Sequence, residues 1–263
     1  MTLIIGLIAK DGIVITTDSR MSMGNPNAAA TQSNDTVKKI FKITDHCAMG
    51  ISGSGEMGVS LIEGFQKEFV NEDQKITVIE ICERFRLFCM ERYRTWFEGL
   101  SIESGLIPDF TVLVCGYAVN NDDVLSDPKI IRLSSFRQFA PETTTTGFAT
   151  SGIPTIANYL LNRLYLRGDI TIEQALTLGA FCLSETKSQD GRVGGILQAS
   201  TFSDFEAYTE LSGKEINELT LLCEELIKNS FQVSFYKEQP KEELSQELVP
   251  GEQLPDEDAV KNE

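Results

Sequence analysis

Basic residues, histidine and closely spaced cysteines are all scarce in this sequence. The 23 lysines and arginines are outnumbered by 39 aspartates and glutamates, which gives a formal net charge of −16 at pH 7. A protein that grips nucleic acid needs a basic face to neutralise phosphates, so this balance argues against nucleic acid as a partner. The one histidine, His46, is more typical of a loop residue than of a catalytic base.

The six cysteines are scattered along the chain, with no C-x-x-C pair among them. Zinc sites and redox sites place their cysteines at short, fixed spacings, so neither kind of site is indicated. Scattered cysteines are typical of small buried side chains in a reducing compartment. We therefore expect no disulfides, no bound metal and a cytoplasmic location.

Long apolar runs are lacking as well. The apolar start of the chain has no basic segment and is broken after about eight residues by Lys10-Asp11-Gly12, so it does not match a signal peptide. No stretch approaches the roughly 20 apolar residues of a membrane-spanning helix. We therefore expect no membrane association.

What the sequence does contain is an alternation of β-branched runs and amphipathic segments. Residues 3–9 and 13–17 are predicted to form a hairpin, because the Asp-Gly dipeptide between them favours a tight turn. Further strands are predicted at 39–43, 47–52, 110–117, 129–133, 143–150, 195–202 and 206–208, helices at 55–70, 77–89, 156–168, 171–183 and 213–229, and loops at 24–36 and 120–127. This order predicts an α+β domain in which helices cover antiparallel sheets.

The last 27 residues differ in composition from the rest of the chain. The segment KEQPKEELSQELVPGEQLPDEDAVKNE is charged, contains proline and has almost no large apolar side chain. Such a segment cannot bury enough apolar surface to order itself. We therefore predict one domain over residues 1–236, followed by a disordered acidic tail over residues 237–263.

Six short motifs occur along the chain in a fixed order. They are T-x-x-x-G from Thr2, K-D-G-x-V-x-x-x-D-S-R from Lys10, K-K-I-F-K-I from Lys38, I-S-G from Ile51, T-S-G-I-P from Thr150 and D-x-x-x-G-G from Asp190. Each motif is weak evidence alone. Their order and spacing, with D-S-R beginning 16 residues after Thr2, resemble the proteasome β-subunits and the simpler bacterial proteasome-like peptidases over residues 2–202.

The resemblance implies an N-terminal nucleophile hydrolase with a four-layer αββα sandwich. It also implies a homo-oligomeric ring that cleaves unfolded polypeptides or peptides and uses no cofactor, and it leaves open whether an ATPase or cap docks on the ring. In such an enzyme Thr2 becomes the first residue once Met1 is removed, which methionine aminopeptidase does when the next side chain is small. The freed α-amine, with an ordinary pKa near 8, then acts as the base for the threonine hydroxyl.

The resemblance also implies roles for other residues. Lys39 would lie beside the nucleophile, Asp18 would hold that lysine, and the Gly53 N–H would face the oxyanion. Ser151 and Asp190 match the residues that orient the terminal amine. The first specificity pocket would be uncharged and mostly apolar, which predicts cleavage after hydrophobic residues. Its lining residues would be Met21, Val37, Ile51 and Gly55.

One position departs from the family pattern. Val193 stands where the family usually has a serine, three residues after the aspartate, so one hydrogen bond to the amine or its catalytic water is missing. Three functions therefore stay open. The chain could be a threonine peptidase in a ring, a small-molecule amidohydrolase of the same class with an open pocket, or a catalytically silent ring or scaffold subunit.

Each motif also has a simpler interpretation. Asp18 could end a strand and pair with Arg20, and the lysines from Lys38 onward could line a solvated strand edge. Ser151 could cap a helix, and Asp190 could lie in a turn. These interpretations are separated by where the tertiary structure places the side chains.

Overall fold

The structure is a computed structural model that describes residues 2–23, 32–69, 76–99, 107–119, 125–203 and 207–235. The chain divides into a large unit, Met1–Leu226, and a small unit, Ile227–Glu263. The small unit is described only up to residue 235, where it forms the end of a helix. The predicted acidic tail, residues 237–263, lies outside the described residues.

Strands and helices alternate in blocks along the described chain. The strands are β1 (Leu3–Ala9), β2 (Gly12–Asp18), β3 (Met21–Met23), β4 (Gln32–Asn34), β5 (Ile40–Thr44), β6 (Cys47–Gly53), β7 (Phe110–Val119), β8 (Leu125–Ser134), β9 (Glu142–Thr143), β10 (Phe148–Gly152), β11 (Leu197–Ser203) and β12 (Thr209–Glu210). The helices are α1 (Gly55–Phe69), α2 (Val78–Trp96), α3 (Thr155–Leu164), α4 (Ile172–Gln189) and α5 (Gly213–Phe235). Within the described ranges, none of these helices has the length and apolarity needed to cross a membrane.

Two five-stranded antiparallel sheets form the centre of the large unit. The first has the order β10-β1-β2-β11-β12, and the second has the order β5-β6-β7-β8-β9. The hairpin of β1 and β2 forms as predicted and lies in the middle of the first sheet. Its central position gives β1 and β2 partners on both sides, which is consistent with their nearly complete burial.

The sheets face each other and are covered by helices on their outer sides. Ile4 and Ile15 of the first sheet pack against Leu113 and Cys115 of the second sheet, and all four side chains are fully buried. Helices α1 and α2 close the outer face of the second sheet, whereas α3 and α4 close that of the first. This is the four-layer αββα arrangement that the family resemblance implies.

The capping residues in the sequence correctly predict the starts of helices α2 and α4. Thr77 accepts a hydrogen bond from the Glu80 N–H at the start of α2. Thr171 and Gln174 form a complete capping box at the start of α4. Both helices therefore begin where the sequence predicts, because a capping pair lies within four consecutive residues and needs no tertiary partner.

Several predicted boundaries are wrong where long-range pairing decides them. Residues 125–127 belong to β8 instead of a loop, because residues 125 and 126 pair with β7 and Asp127 lies at an irregularity in the register opposite Tyr117 and Ala118. Asp127 takes a positive φ of 52° at that irregularity. Residues 32–34 form β4, a strand within the predicted loop 24–36, because they pair with β3.

The ends of three other elements also differ from the prediction. Helix α3 ends at Leu164, before the predicted stop at Gly168. Helix α5 continues to Phe235, beyond the predicted residue 229. The predicted strand 206–208 is replaced by β12 at Thr209–Glu210, which is set by its pairing with β11.

Candidate active site

Thr2 lies directly before β1 and is buried, with 3% of its surface exposed. The hairpin register places Ile4 opposite Thr17, so the start of β1 lies beside the end of β2. The Thr2 hydroxyl donates a hydrogen bond of 2.5 Å to Oδ1 of Asp18, and the Leu3 N–H donates to the same oxygen at 2.9 Å. The hairpin alone therefore brings together a hydroxyl and a carboxylate that are 16 residues apart.

The backbone of Thr2 is held from the opposite side by the turn after β10. The Ile153 N–H donates to the Thr2 carbonyl oxygen at 2.9 Å. Gly152 has a φ of +95°, and a Cβ at this position would lie 1.8 Å from that same oxygen. Only glycine allows this close approach, so Gly152 helps to set the position of Thr2.

Lys39 brings a buried positive charge to the Thr2 hydroxyl. Its Nζ donates hydrogen bonds to Thr2 Oγ1 and, at 2.5 Å, to the Arg20 carbonyl oxygen. It also lies 3.3 Å from Oδ2 of Asp18. Lys39 is only 4% exposed, which rules out the alternative of a solvated strand edge at this residue.

Burial changes the acid–base behaviour of Lys39. Removal of the amine from water lowers the pKa of Lys39 from 10.5 to about 8, and the neighbouring Asp18 carboxylate opposes this shift only in part. Near neutral pH the amine therefore carries a charge, yet its pKa lies close to the working range of a proton-transfer site.

The Asp18 carboxylate is fixed by backbone donors. Its Oδ2 accepts hydrogen bonds from the Arg20 N–H at 3.1 Å and from the Gly194 N–H at 3.0 Å. Together with the Leu3 N–H, three backbone groups hold the carboxylate in one orientation. The simpler interpretation of Asp18 as an ion-pair partner of the Arg20 side chain is wrong, since that guanidinium binds Asp35.

A cavity opens beside Thr2 and Lys39. Its other lining residues come from the β2–β3 connection, β3, β6 and α1, and they are Arg20, Met21, Ser22, Ile51, Ser52, Gly53, Gly55 and Val59. Of the predicted pocket residues, Met21, Ile51 and Gly55 line this cavity, whereas Val37 is not among its lining residues. A Cβ on Gly55 would lie 2.5 Å from the Met21 Cε, so the methionine side chain packs directly over this glycine.

Gly53 ends β6 at the edge of the same cavity. It has a φ of +98°, and a Cβ there would lie 2.6 Å from the Asp109 carbonyl oxygen. Its main chain therefore has a conformation that larger residues rarely adopt. The structure thus brings Gly53 to the cavity that contains Thr2 and Lys39.

Ser151 belongs to β10, so the alternative that it caps a helix is wrong. Its hydroxyl lies 2.6 Å from the hydroxyl of Ser52, and both side chains are buried. Sequence reasoning assigned no role to Ser52, although it lies inside the I-S-G motif. The contact joins β6 of one sheet to β10 of the other, and Ser52 also lines the cavity beside Thr2.

Asp190 lies at the C-terminal end of α4. Its carboxylate accepts hydrogen bonds from the Arg192 N–H at 2.9 Å and from the guanidinium at 2.6 Å, which lowers the pKa of Asp190. In the described part of the chain, the Asp190 carboxylate is thus engaged by Arg192. Val193 is 1% exposed and packs in the apolar cluster between the first sheet and α4.

Arg20 joins three segments around the site. Its guanidinium binds Asp35 through two parallel hydrogen bonds of 2.7 Å, and its Nη1 donates to the Gly191 carbonyl oxygen at 2.8 Å. The D-S-R motif contains Arg20, but no sequence signal marked Asp35 as its partner.

Known proteins resemble this chain in sequence and in fold. A family model described as "Proteasome subunit" matches residues 2–97. A proteasome subunit beta of Streptomyces griseus is 26% identical over 229 residues, which cover 83% of this chain and 74% of that protein. Another, from Methanocaldococcus vulcanius, is 29% identical over 227 residues, which cover 83% of this chain and 88% of that protein.

Among solved structures, Anbu from Hyphomicrobium sp. strain MC1 has a similar fold. It matches with a TM-score of 0.63 at 13% sequence identity, covering 88% of this chain and 97% of that chain. The αββα architecture, the family match and these relatives agree with the resemblance that the motifs predict. The chain is therefore similar in sequence to the proteasome β-subunits and has a proteasome-like αββα fold.

Proposed function

We propose that this chain is a threonine-type peptidase in which Thr2 is the nucleophile. The observation that carries the proposal is the position of the Thr2 hydroxyl, which contacts both the Lys39 amine and the Asp18 carboxylate in a site shielded from water. A threonine hydroxyl is a weak nucleophile unless such groups activate it. The relatives named proteasome subunit beta support a peptide bond as the target.

Removal of Met1 precedes catalysis and frees the α-amine of Thr2. The hydroxyl proton passes to this amine, and Oγ1 attacks the carbonyl carbon of the substrate peptide bond. The positive charge of Lys39 favours the neutral amine and the developing alkoxide. Asp18 holds Lys39 in place through their ion pair.

The attack turns the substrate carbonyl oxygen into an oxyanion. The Gly53 N–H donates a hydrogen bond to this oxyanion, and loss of one such donor typically slows an enzyme about 10²–10³-fold. The carbon–nitrogen bond then breaks, and the departing amine takes the proton from the Thr2 α-ammonium. An ester between Thr2 and the acyl part of the substrate remains.

Hydrolysis of this ester completes the cycle. A water molecule gives one proton to the α-amine while its oxygen attacks the ester carbonyl carbon. The carbon–oxygen bond to Thr2 breaks, Oγ1 regains a proton from the amine, and the acyl part leaves as a carboxylic acid. One water molecule is consumed for each peptide bond cleaved.

The cavity beside Thr2 sets a preference for apolar residues. Met21, Ile51 and Val59 give it an apolar wall close to the nucleophile. A hydrophobic side chain before the scissile bond would contact this apolar wall and remove apolar surface from water, which favours it over a charged side chain. Cleavage profiling that instead favours charged residues would contradict this part of the proposal.

We further propose that the chain works as a homo-oligomeric ring in the cytoplasm. Its relatives carry the name of a subunit, which supports assembly with further copies. An ATPase or cap that unfolds and feeds substrates would dock on such a ring. Native mass spectrometry tests the assembly, and a stable monomer with activity on small amides would favour an amidohydrolase instead.

The catalytic proposal is tested with the purified full chain. Intact mass should show the loss of Met1, and a β-lactone electrophile should modify Thr2. Thr2→Ala should abolish both peptide cleavage and labelling, whereas Thr95→Ala should leave them unchanged, because Thr95 is exposed on α2. Retention of Met1, or full activity without the Thr2 hydroxyl, would refute the assignment.

One observation favours a second candidate, a catalytically silent ring subunit. The Asp190 carboxylate is engaged by Arg192, and Val193, which has no hydroxyl, packs in the apolar core. Such a subunit would still assemble with other copies but would not react with the electrophile. Labelling of Thr2 therefore separates the two candidates.

A further inference from the structure

The segment that carries Lys39 has no regular strand structure of its own. Residues 35–39 lie between β4 and β5, outside both strands. Its backbone groups must therefore find partners elsewhere, since a buried N–H or carbonyl without a partner is costly. The position of the Lys39 amine depends on how this segment is held.

Gln198 of β11 holds the segment on both sides of Lys38. The Lys39 N–H donates to Gln198 Oε1 at 2.9 Å, and Gln198 Nε2 donates to the Val37 carbonyl oxygen at 2.7 Å. One side-chain amide thus supplies the acceptor and the donor that a neighbouring strand would supply. Gln198 is separated from both residues by about 160 positions in the sequence.

Gln198 also belongs to the same sheet as Asp18. In the β2–β11 ladder Gln198 lies opposite Thr17, and Leu197 lies opposite Asp18. Asp18, the acidic partner of Lys39, and Gln198, which binds the backbone on both sides of Lys38, therefore lie on two paired strands of one sheet. Loss of this clamp by Gln198 would remove two backbone contacts of the segment, while the Val37 N–H bond to the Ser19 carbonyl, the Ile51 N–H bond to the Lys39 carbonyl and Asp18 stay in place.

We propose that Gln198 is a positioning residue for Lys39, which holds the Lys39 amine buried beside Thr2 and Asp18. The catalytic consequence rests on the proposed function, whereas the positioning itself does not. No motif marked Gln198, because its role depends only on where β11 lies in the sheet.

The groups around Lys39 determine how its pKa should change when the Gln198 contacts are lost. The amine faces Asp18 from β2, and more distantly Asp35 and Arg20, which bind each other. Burial is the main cause that lowers the pKa of Lys39 from 10.5 to about 8. If the segment moves outward and water reaches the amine, this pKa should rise toward 10.5.

The test follows the titration of Lys39 by NMR in protein labelled with ¹³Cε-lysine. The Lys39 resonance is assigned by its loss in Lys39→Arg, and the wild type is compared with Gln198→Met, which keeps side-chain length but removes the amide. Gln174→Met is the matched control, because Gln174 also binds backbone through its amide but caps α4. We expect a raised Lys39 pKa in Gln198→Met and an unchanged one in Gln174→Met.

An unchanged Lys39 pKa in folded Gln198→Met would overturn the proposal. If that variant does not fold, Gln198→Asn takes its place, since its shorter amide cannot span both backbone groups, and the same rise is expected. Peptide cleavage adds the functional readout. The alkaline limb of the pH–rate profile should move upward together with the Lys39 pKa.

The two proposals fail in different ways. A wild type that never cleaves peptides or labels at Thr2 contradicts the proposed function but leaves the Lys39 titration intact. The other outcome is a wild type that cleaves peptides and a Gln198→Met variant with the same Lys39 pKa and the same cleavage rate. That outcome contradicts only the role of Gln198.

Discussion

Replacement of Lys39 by methionine should change how the stability of the protein depends on pH. The wild type buries the Lys39 amine beside Asp18 and Thr2, with 4% of the residue exposed. Methionine has a similar length but no titrating group. The difference between the two proteins therefore contains the titration of Lys39 together with its effect on the adjacent Thr2 α-amine.

The size and the sign of the effect follow from the pKa of Lys39. Its value in the folded protein is about 8, against 10.5 for a free lysine side chain. At about 1.4 kcal/mol for each pH unit, this difference corresponds to about 3 kcal/mol. Below pH 8 both states carry the proton, and the folded state bears the full cost of the buried charge. Between about pH 8 and pH 10.5 the unfolded state binds more protons, so stability rises with pH.

The free energy of unfolding should be measured by urea titration at pH values between 7 and about 10.5. The wild type should gain about 3 kcal/mol relative to Lys39→Met over this range. Titrations of the buried thiols occur in both proteins and cancel in the difference. Lys38→Met is the control, since the side chain of Lys38 is 56% exposed, and it should follow the wild type.

A difference between wild type and Lys39→Met that stays constant with pH would refute this reasoning. It would mean that the Lys39 amine is well hydrated in the folded protein, in conflict with its contacts to Thr2 and the Arg20 carbonyl oxygen.

Three further substitutions test other parts of the site. Gly152→Ala should abolish electrophile labelling, because a Cβ would lie 1.8 Å from the Thr2 carbonyl oxygen, while Gly191→Ala, with open space around it, should have no effect. Normal labelling of Gly152→Ala would show that the turn does not hold Thr2. Val193→Ser should lower the free energy of unfolding by about 1–3 kcal/mol in urea titrations, since it buries a hydroxyl among apolar side chains. A faster cleavage rate instead would show that a hydroxyl there reaches the reaction. Ser52→Ala should cost about 1 kcal/mol in the same titration and slow peptide cleavage, because it removes a buried hydrogen bond below the site. Unchanged stability and rate would show that this bond is dispensable.

The sequence predicts those parts of the fold that are encoded within a few residues. The hairpin of β1 and β2 follows from Asp-Gly between two β-branched runs, and the start of α4 follows from its capping box. The proximity of Thr2 and Asp18 is a consequence of the same hairpin. A single tight turn determines the register, and the register determines which side chains meet.

The sequence is less informative where a contact joins distant segments. Residues 32–34 and 125–127 resemble loops locally, yet pairing with β3 and β7 makes them strands. The favourable hydrogen bonds of such a ladder depend on the partner strand, which local propensity does not contain.

The environment of Lys39 is the clearest case of a property that depends on the tertiary structure. Its position in the K-K motif indicates a lysine near the nucleophile, but the motif does not contain its burial, its lowered pKa or its clamp by Gln198. Likewise, the D-x-x-x-G-G motif contains Asp190 but does not reveal that Arg192 engages its carboxylate. Local patterns could thus be used to predict an α+β fold with antiparallel sheets, and the resemblance carried by the motifs implied the candidate nucleophile. The protonation and placement of the groups around that nucleophile depend on desolvation by chain segments that are brought together only in the folded protein.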